Sequence, residues 1–180
     1  MTTLEKSKLI LLDADVIICL HESGLWDAFS KQYEISLSRI VCQECAFFER
    51  SGSHEGKVYI DWEKYCSQGD VKIFDLDAEE MMRRYSLKGK NPEDLGLHIG
   101  EAETIALLLD DSMQETRICL ADRAAIRGAV FMDLKERCIS LESALNSIGI
   151  SRQLQKQFRE DWMRQSINTA EIEKIQIIKN

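Results

Sequence analysis

The stretch Leu9-Ile10-Leu11-Leu12-Asp13 is an unbroken apolar run that stops on an acid. Four consecutive apolar residues bounded by charge read as a buried strand. Working outward, similar short runs recur at Glu34–Leu37, Val71–Leu76, Arg117–Ala121 and Cys138-Ile139, with the Val71 run suited to a sheet edge. Helical patterns fall between them: Gly24–Lys31, Arg39 to about Arg50 behind a Ser38 cap, Val58–Ser67, Asp77–Tyr85, Glu101–Asp110, and Asp122 to about Met132. Ser140 caps a last one, with Leu141, Ala144, Leu145 and Ile148 on one face and Gly149 ending it. Residues 51–57 and 86–97 read as loops. Strands alternating with helices predict an α/β three-layer sandwich with a mainly parallel central sheet.

This domain is expected over residues 1–149, followed by a C-terminal helical extension over 150–180. In the extension Leu154, Phe158 and Trp162 share one helical face, while Arg152, Lys156, Arg159 and Arg164 make the rest basic. The apolar stripe favours packing on the domain over contact with a partner or RNA.

The 180 residues suffice for one domain with a sizeable core. A hydrophobic fraction of 44%, a charged fraction of 30% and a single proline fit a globular chain and exclude a disordered or fibrous one. No apolar stretch approaches the roughly 20 residues of a membrane span. Met1–Lys8 lacks the apolar core of a signal peptide, so a cytoplasmic location is expected. Cys19, Cys42, Cys119 and Cys138 lie in or beside apolar runs, as reduced cysteines do. Cys42 and Cys45 form a lone C-x-x-C with His54 and Cys66 downstream; no second close pair follows, and zinc is not favoured. The net charge of −8 argues against bulk electrostatic binding of nucleic acid, although clustered metal-holding carboxylates inflate that total.

The acids are the informative residues. Asp13 and Asp122 stand at the ends of apolar runs, and ligands of parallel sheets bind beyond the carboxyl ends of strands. Each has an alternative role as a helix cap, which is more natural for Asp122 than for Asp13, where Ala14-Asp15-Val16-Ile17-Ile18 stays apolar apart from Asp15. Glu44 falls on the stripe Ile40, Glu44, Phe47, Phe48 of the expected helix, where a carboxylate is costly unless paired or metal-bound. Glu101 and Glu103 flank the stripe Ala102, Ile105, Ala106, Leu109, and periodicity does not choose between them. Carboxylates from four segments are hard donors suited to Mg²⁺ or Mn²⁺, ions able to activate water for phosphodiester hydrolysis.

These motifs resemble those of the PIN-domain nucleases, including the toxin ribonucleases of toxin–antitoxin pairs, over about Lys8 to Gly149. An apolar strand then Asp-Thr-Asn/Ser-apolar is similar to Leu11–Ile17, and a helix glutamate after a short strand to Val41-Cys42-Gln43-Glu44-Cys45. Gly-Glu-Ala-Glu-x-Ile-Ala is matched by Gly100–Ala106, and strand-Asp-Arg-x-Ala by Ile118–Ala125. Two hydroxyl residues common in the family are replaced by Ala14 and Leu120. The resemblance implies a catalytic and metal-binding set of Asp13, Glu44, Glu101 and Asp122, with Glu101 preferred to Glu103. It also implies Mg²⁺ or Mn²⁺ as cofactor, an RNA substrate with DNA open, and a homodimer, antitoxin or other protein partner. Arg83, Arg84, Lys88 and Lys90, with Arg123 and Arg127, are candidate phosphate contacts.

Two other readings compete. A haloacid dehalogenase-like phosphatase would use Asp13 of Asp13-Ala14-Asp15 as nucleophile, but it needs a late acidic pair, and Arg123–Val130 contains no acid. A non-catalytic PIN-like scaffold binding RNA or a partner would have no need of all four acids. His98 lies near Glu101 and reads as an ordinary loop histidine.

Overall fold

The computed structural model describes residues 9–49 and 56–179. The chain runs β1 (Leu9–Leu12), α1 (Ala14–Glu22), α2 (Trp26–Ser30), β2 (Glu34–Ser38), α3 (Arg39–Glu44), β3 (Phe47–Glu49) and β4 (Lys57–Tyr59). It continues through α4 (Trp62–Ser67), β5 (Val71–Phe74), α5 (Ala78–Leu87), α6 (Ile99–Leu108), β6 (Arg117–Cys119), α7 (Arg123–Phe131), β7 (Cys138–Ile139), α8 (Leu141–Asn146) and α9 (Glu160–Ile178).

Five strands form one parallel sheet in the order β5-β2-β1-β6-β7. The fold is therefore α/β with helices against both faces. Successive side chains of a strand point to opposite faces. Accordingly Ile10 and Leu12 join Val16, Leu20, Phe29 and Leu37 in one buried cluster, while Leu11 joins Ile105, Ile118, Ile126 and Trp162 in the other. Strand order reverses at β1, with β2 on one side and β6 on the other, so a crevice opens beyond the carboxyl ends of β1 and β6.

Several caps are as expected: Ser38, Asp77 and Ser140 accept the backbone N–H of Val41, Glu80 and Ser143. Five readings are corrected. The helix expected over Val58–Ser67 begins only at Trp62; Lys57–Tyr59 instead pairs antiparallel with Phe47–Glu49, giving Val58 a cross-strand partner in Phe48. The helix from Arg39 stops at Glu44, because Cys45 leaves helical dihedrals and Phe47 and Phe48 enter that hairpin; residues 50–55, with His54, lie outside the described residues. The run after Asp13 is a helix, α1, and the expected Gly24–Lys31 helix is confined to Trp26–Ser30. In the C-terminal segment the helix starts at Glu160, after a 3-10 turn over Lys156–Phe158, so Leu154, Phe158 and Trp162 do not share one helical stripe.

All three are nevertheless buried: Leu154 and Phe158 in one cluster, Trp162 and Met163 in the other. The C-terminal segment thus helps close both sides of the core. Arg127 fastens it, donating to Glu173 from Nε (2.9 Å) and Nη2 (2.7 Å). Among the described residues no helix is long and apolar enough to cross a membrane.

Candidate functional site

Asp13 extends β1 by one residue, its N–H donating to the carbonyl of Cys119 on β6 at 3.1 Å. Its backbone is extended, and Oδ1 accepts the N–H of Ala14 at 2.7 Å. The capping role that looked unnatural in the sequence is therefore real, because α1 starts at the next residue. The side chain is buried, and that burial, then the charges of Asp15 and Glu101, push its pKa up to about 7.

Asp122 follows the end of β6 by three residues and caps α7, as Asp13 caps α1. Its Oδ1 accepts from the N–H groups of Ala124 (2.6 Å) and Ala125 (3.3 Å), which fixes the carboxylate at the N-terminus of α7. The residue itself is exposed, and its carboxylate interacts with that of Glu101. Since β1 and β6 are hydrogen-bonded neighbours in register Leu12↔Cys119, the two aspartates emerge from adjacent strands.

Glu101 comes from the first turn of α6. Its Oε2 accepts the N–H of His98, the residue that caps this helix, at 2.9 Å. Half burial raises its pKa, and the nearby charge of Asp122 raises it further. Glu101 therefore stands within electrostatic reach of both aspartates.

Glu44, the last residue of α3, is exposed rather than buried on an apolar stripe as the longer helix implied. Its carboxylate lies over Gly100, where a Cβ would come within 2.5 Å of Oε2. Glycine in the first turn of α6 thus opens a gap that brings Glu44 beside the residue preceding Glu101. Desolvation raises the pKa of Glu44, His98 opposes that and Glu103 adds to it.

Glu103, equally eligible by periodicity, is only 1% exposed and has a different task. Oε2 accepts the N–H of Ile40 at 3.2 Å and Oε1 that of Leu76 at 3.1 Å, so it ties the start of α3 to the chain leaving β5. Asp15 is exposed in the first turn of α1.

Arg84 is half-buried between Glu80 and Asp110 and also donates to the carbonyl of Ala106; Arg83 pairs with Glu80. Arg127 is held by Glu173 and the carbonyl of Leu95 over the ring of Phe131. Arg84 and Arg127 therefore tie elements of the fold together in addition to any ligand role, whereas Arg83 pairs within its own helix. Lys88 is exposed, and Lys90 lies 5.8 Å from the Phe131 ring centre. Arg123 is exposed and takes no ion pair among the described residues; its guanidinium lies 5.9 Å from the centre of the Trp162 ring. Cys42 and Cys45 are buried, and Cys45 Sγ donates to the carbonyl of Val41.

Among the described residues no three His, Cys, Asp or Glu side chains converge closely enough to enclose an ion as they stand. The donor set is all carboxylate, which suits a hard divalent cation. Among the described residues no lysine or arginine pairs with Asp13, Glu44, Glu101 or Asp122, while His98 partly offsets the repulsion at Glu44 and Glu101. Compared with family models, curated proteins and solved structures, the chain matches none.

Proposed function

We propose that the protein is a Mg²⁺- or Mn²⁺-dependent endoribonuclease of the PIN-domain kind. The observation that carries the reading is the placement of Asp13 and Asp122 just past adjacent parallel strands at the point of order reversal, with Glu101 beside both. An α/β sheet collects ligands there. Among the described residues these carboxylates have no lysine or arginine partner, an arrangement that costs stability unless a cation is bound.

In this reading Asp13, Glu101 and Asp122 hold the ion, with Glu44 reaching in over Gly100. A bound divalent ion supplies activation of water and stabilisation of charge on the scissile phosphate. The chain's own contribution is orientation. Backbone N–H groups of Ala14, Ala124 and His98 hold one oxygen of Asp13, Asp122 and Glu101 respectively, fixing how each carboxylate is presented. Arg123, next to Asp122, is placed to meet a substrate phosphate.

The test is incubation of purified protein with total RNA and Mg²⁺ or Mn²⁺, followed by mapping of cut ends. Metal-dependent cuts should appear, and Asp13→Asn, Asp122→Asn and Glu101→Gln should each lower the rate by about 100-fold or more, the scale expected when a charge is removed where charge develops. Equal cleavage by wild type and Asp13→Asn would reject the assignment.

A further inference from the structure

The cleft between α7 and α9 lies outside the acidic cluster but begins next to it. It has a volume of about 310 Å³ and is lined by Arg123 and Arg127 of α7 and by Gln165, Ser166, Thr169 and Glu173 of α9. A cavity of this size stands at the lower end of the range for small-ligand sites, roughly 300–1,000 Å³.

The direction of the two helices matters. Trp162 of α9 lies by Arg123 at the start of α7, Glu173 by Arg127, and Lys174 donates to the carbonyl of Val130 near the end of α7. The helices therefore run side by side in the same sense. Because α7 follows β6, its N-terminus sits at the carboxyl edge of the sheet, and that of α9 does too. The cleft thus has its upper end beside Asp122 and leads away from it down the outer face of the helical layer.

Its electrostatics favour an anion at that upper end. Within the lining, Arg127 and Glu173 neutralise one another through their paired hydrogen bonds. Among the described residues Arg123 has no ion-pair partner, so the lining carries net positive charge. The exposed Gln165 adds a neutral amide donor. Thr169 Oγ1 gives its proton to the carbonyl of Gln165 and keeps its lone pairs, which suits a ligand hydroxyl. A phosphate with a neighbouring sugar hydroxyl presents that combination, and a ribose 2′-hydroxyl is what separates RNA from DNA at a contact.

We infer that the α7–α9 cleft binds the ribose-phosphate backbone of the nucleotide adjoining the cleavage point, with Arg123 on the phosphate and Gln165 and Thr169 beside it. This rests on the nuclease reading of the acidic site. It makes the C-terminal helix one wall of the substrate path as well as a cover for the core.

The experiment measures binding of a short fluorescent single-stranded RNA by anisotropy in EDTA across a salt series, so that no cleavage is needed. Arg123→Gln should weaken binding about 5–10-fold and flatten the plot of log affinity against log salt by about 0.7, the slope for one phosphate contact on a single strand. Gln165→Ala with Thr169→Val should weaken binding several-fold with the slope unchanged, because no charge is lost. Both sets of residues are on the surface, and a thermal melt verifies that each variant folds. Wild-type affinity and slope in Arg123→Gln, or no RNA binding by wild type, overturns the inference. Wild-type affinity in the Gln165/Thr169 variant overturns the part given to α9. Failure of the nuclease reading shows separately, as absence of metal-dependent cleavage by the wild type.

Discussion

Replacing Asp13 by asparagine should stabilise the metal-free protein at neutral pH and have much less effect in acid. The carboxyl moves from an ordinary pKa of 3.8 to about 7 on folding, chiefly by burial and then by the charges of Asp15 and Glu101. Below pH 3.8 both folded and unfolded chains hold the proton, and there is no penalty. Between 3.8 and about 7 the unfolded chain releases a proton that the folded chain keeps, so stability falls as pH rises. Above about 7 the full penalty remains. At 1.36 kcal/mol per pH unit it reaches about 4 kcal/mol. Asparagine keeps the acceptor for the Ala14 N–H and is as good a helix cap as aspartate, so little is lost in exchange. For a chain of this length about 2–4 °C follows each kcal/mol, and with relaxation of the site a rise in Tm of about 3–10 °C is expected at pH 7.5 in EDTA. At pH 4.5 the difference should shrink to about a quarter. Mg²⁺ or Mn²⁺ should raise the wild-type Tm and move the variant much less. Thermal melts followed by circular dichroism at the two pH values decide it. A variant that is less stable at pH 7.5, or a difference that does not change with pH, would refute the reasoning.

Other outcomes follow from named contacts. Glu103→Ala should cost about 2–4 kcal/mol by leaving the N–H groups of Ile40 and Leu76 without their acceptor, yet keep the metal-induced rise in Tm; loss of that rise with the fold intact would make Glu103 a ligand. Gly100→Ala should change stability by about 1 kcal/mol or less, since only the end of a flexible side chain must move, while displacing Glu44 and lowering metal-dependent cleavage; an unaffected rate would remove Glu44 from the site. Arg127→Ala should cost about 1 kcal/mol, discounted for the partly exposed pair with Glu173, and make the α9 segment more susceptible to limited proteolysis; an unchanged cleavage pattern would show that apolar packing alone holds the helix.

The parallel sheet was legible because its strands are short apolar runs closed by charge, and the caps because Ser38, Asp77 and Ser140 carry their signal locally. The β3–β4 hairpin was not, since Phe47, Phe48 and Val58 suit a helix or a strand equally well by spacing and only the cross-strand pairing decides. The error spread to Glu44: once Phe47 and Phe48 leave the helix, the apolar stripe that made Glu44 look buried no longer exists. Its place beside the other acids is set instead by Gly100, and the clue in the sequence was a glycine tolerated in the first turn of an otherwise strong helix.

Glu101 and Glu103 show where reading the sequence stops. Two residues apart on one helix, they flank the same stripe and share charge and size. What separates them is the partner each meets across the fold. Glu103 finds two backbone amides that come from α3 and from the end of β5, contacts made only after the helix docks between those elements. Glu101 finds one amide in its own turn and otherwise faces carboxylates. A buried acid with donors on both oxygens is satisfied and therefore architectural. An acid left against other acids is under electrostatic strain that a cation relieves. That contrast is what makes substitution at the two positions separable, the one lowering stability and the other the response to metal.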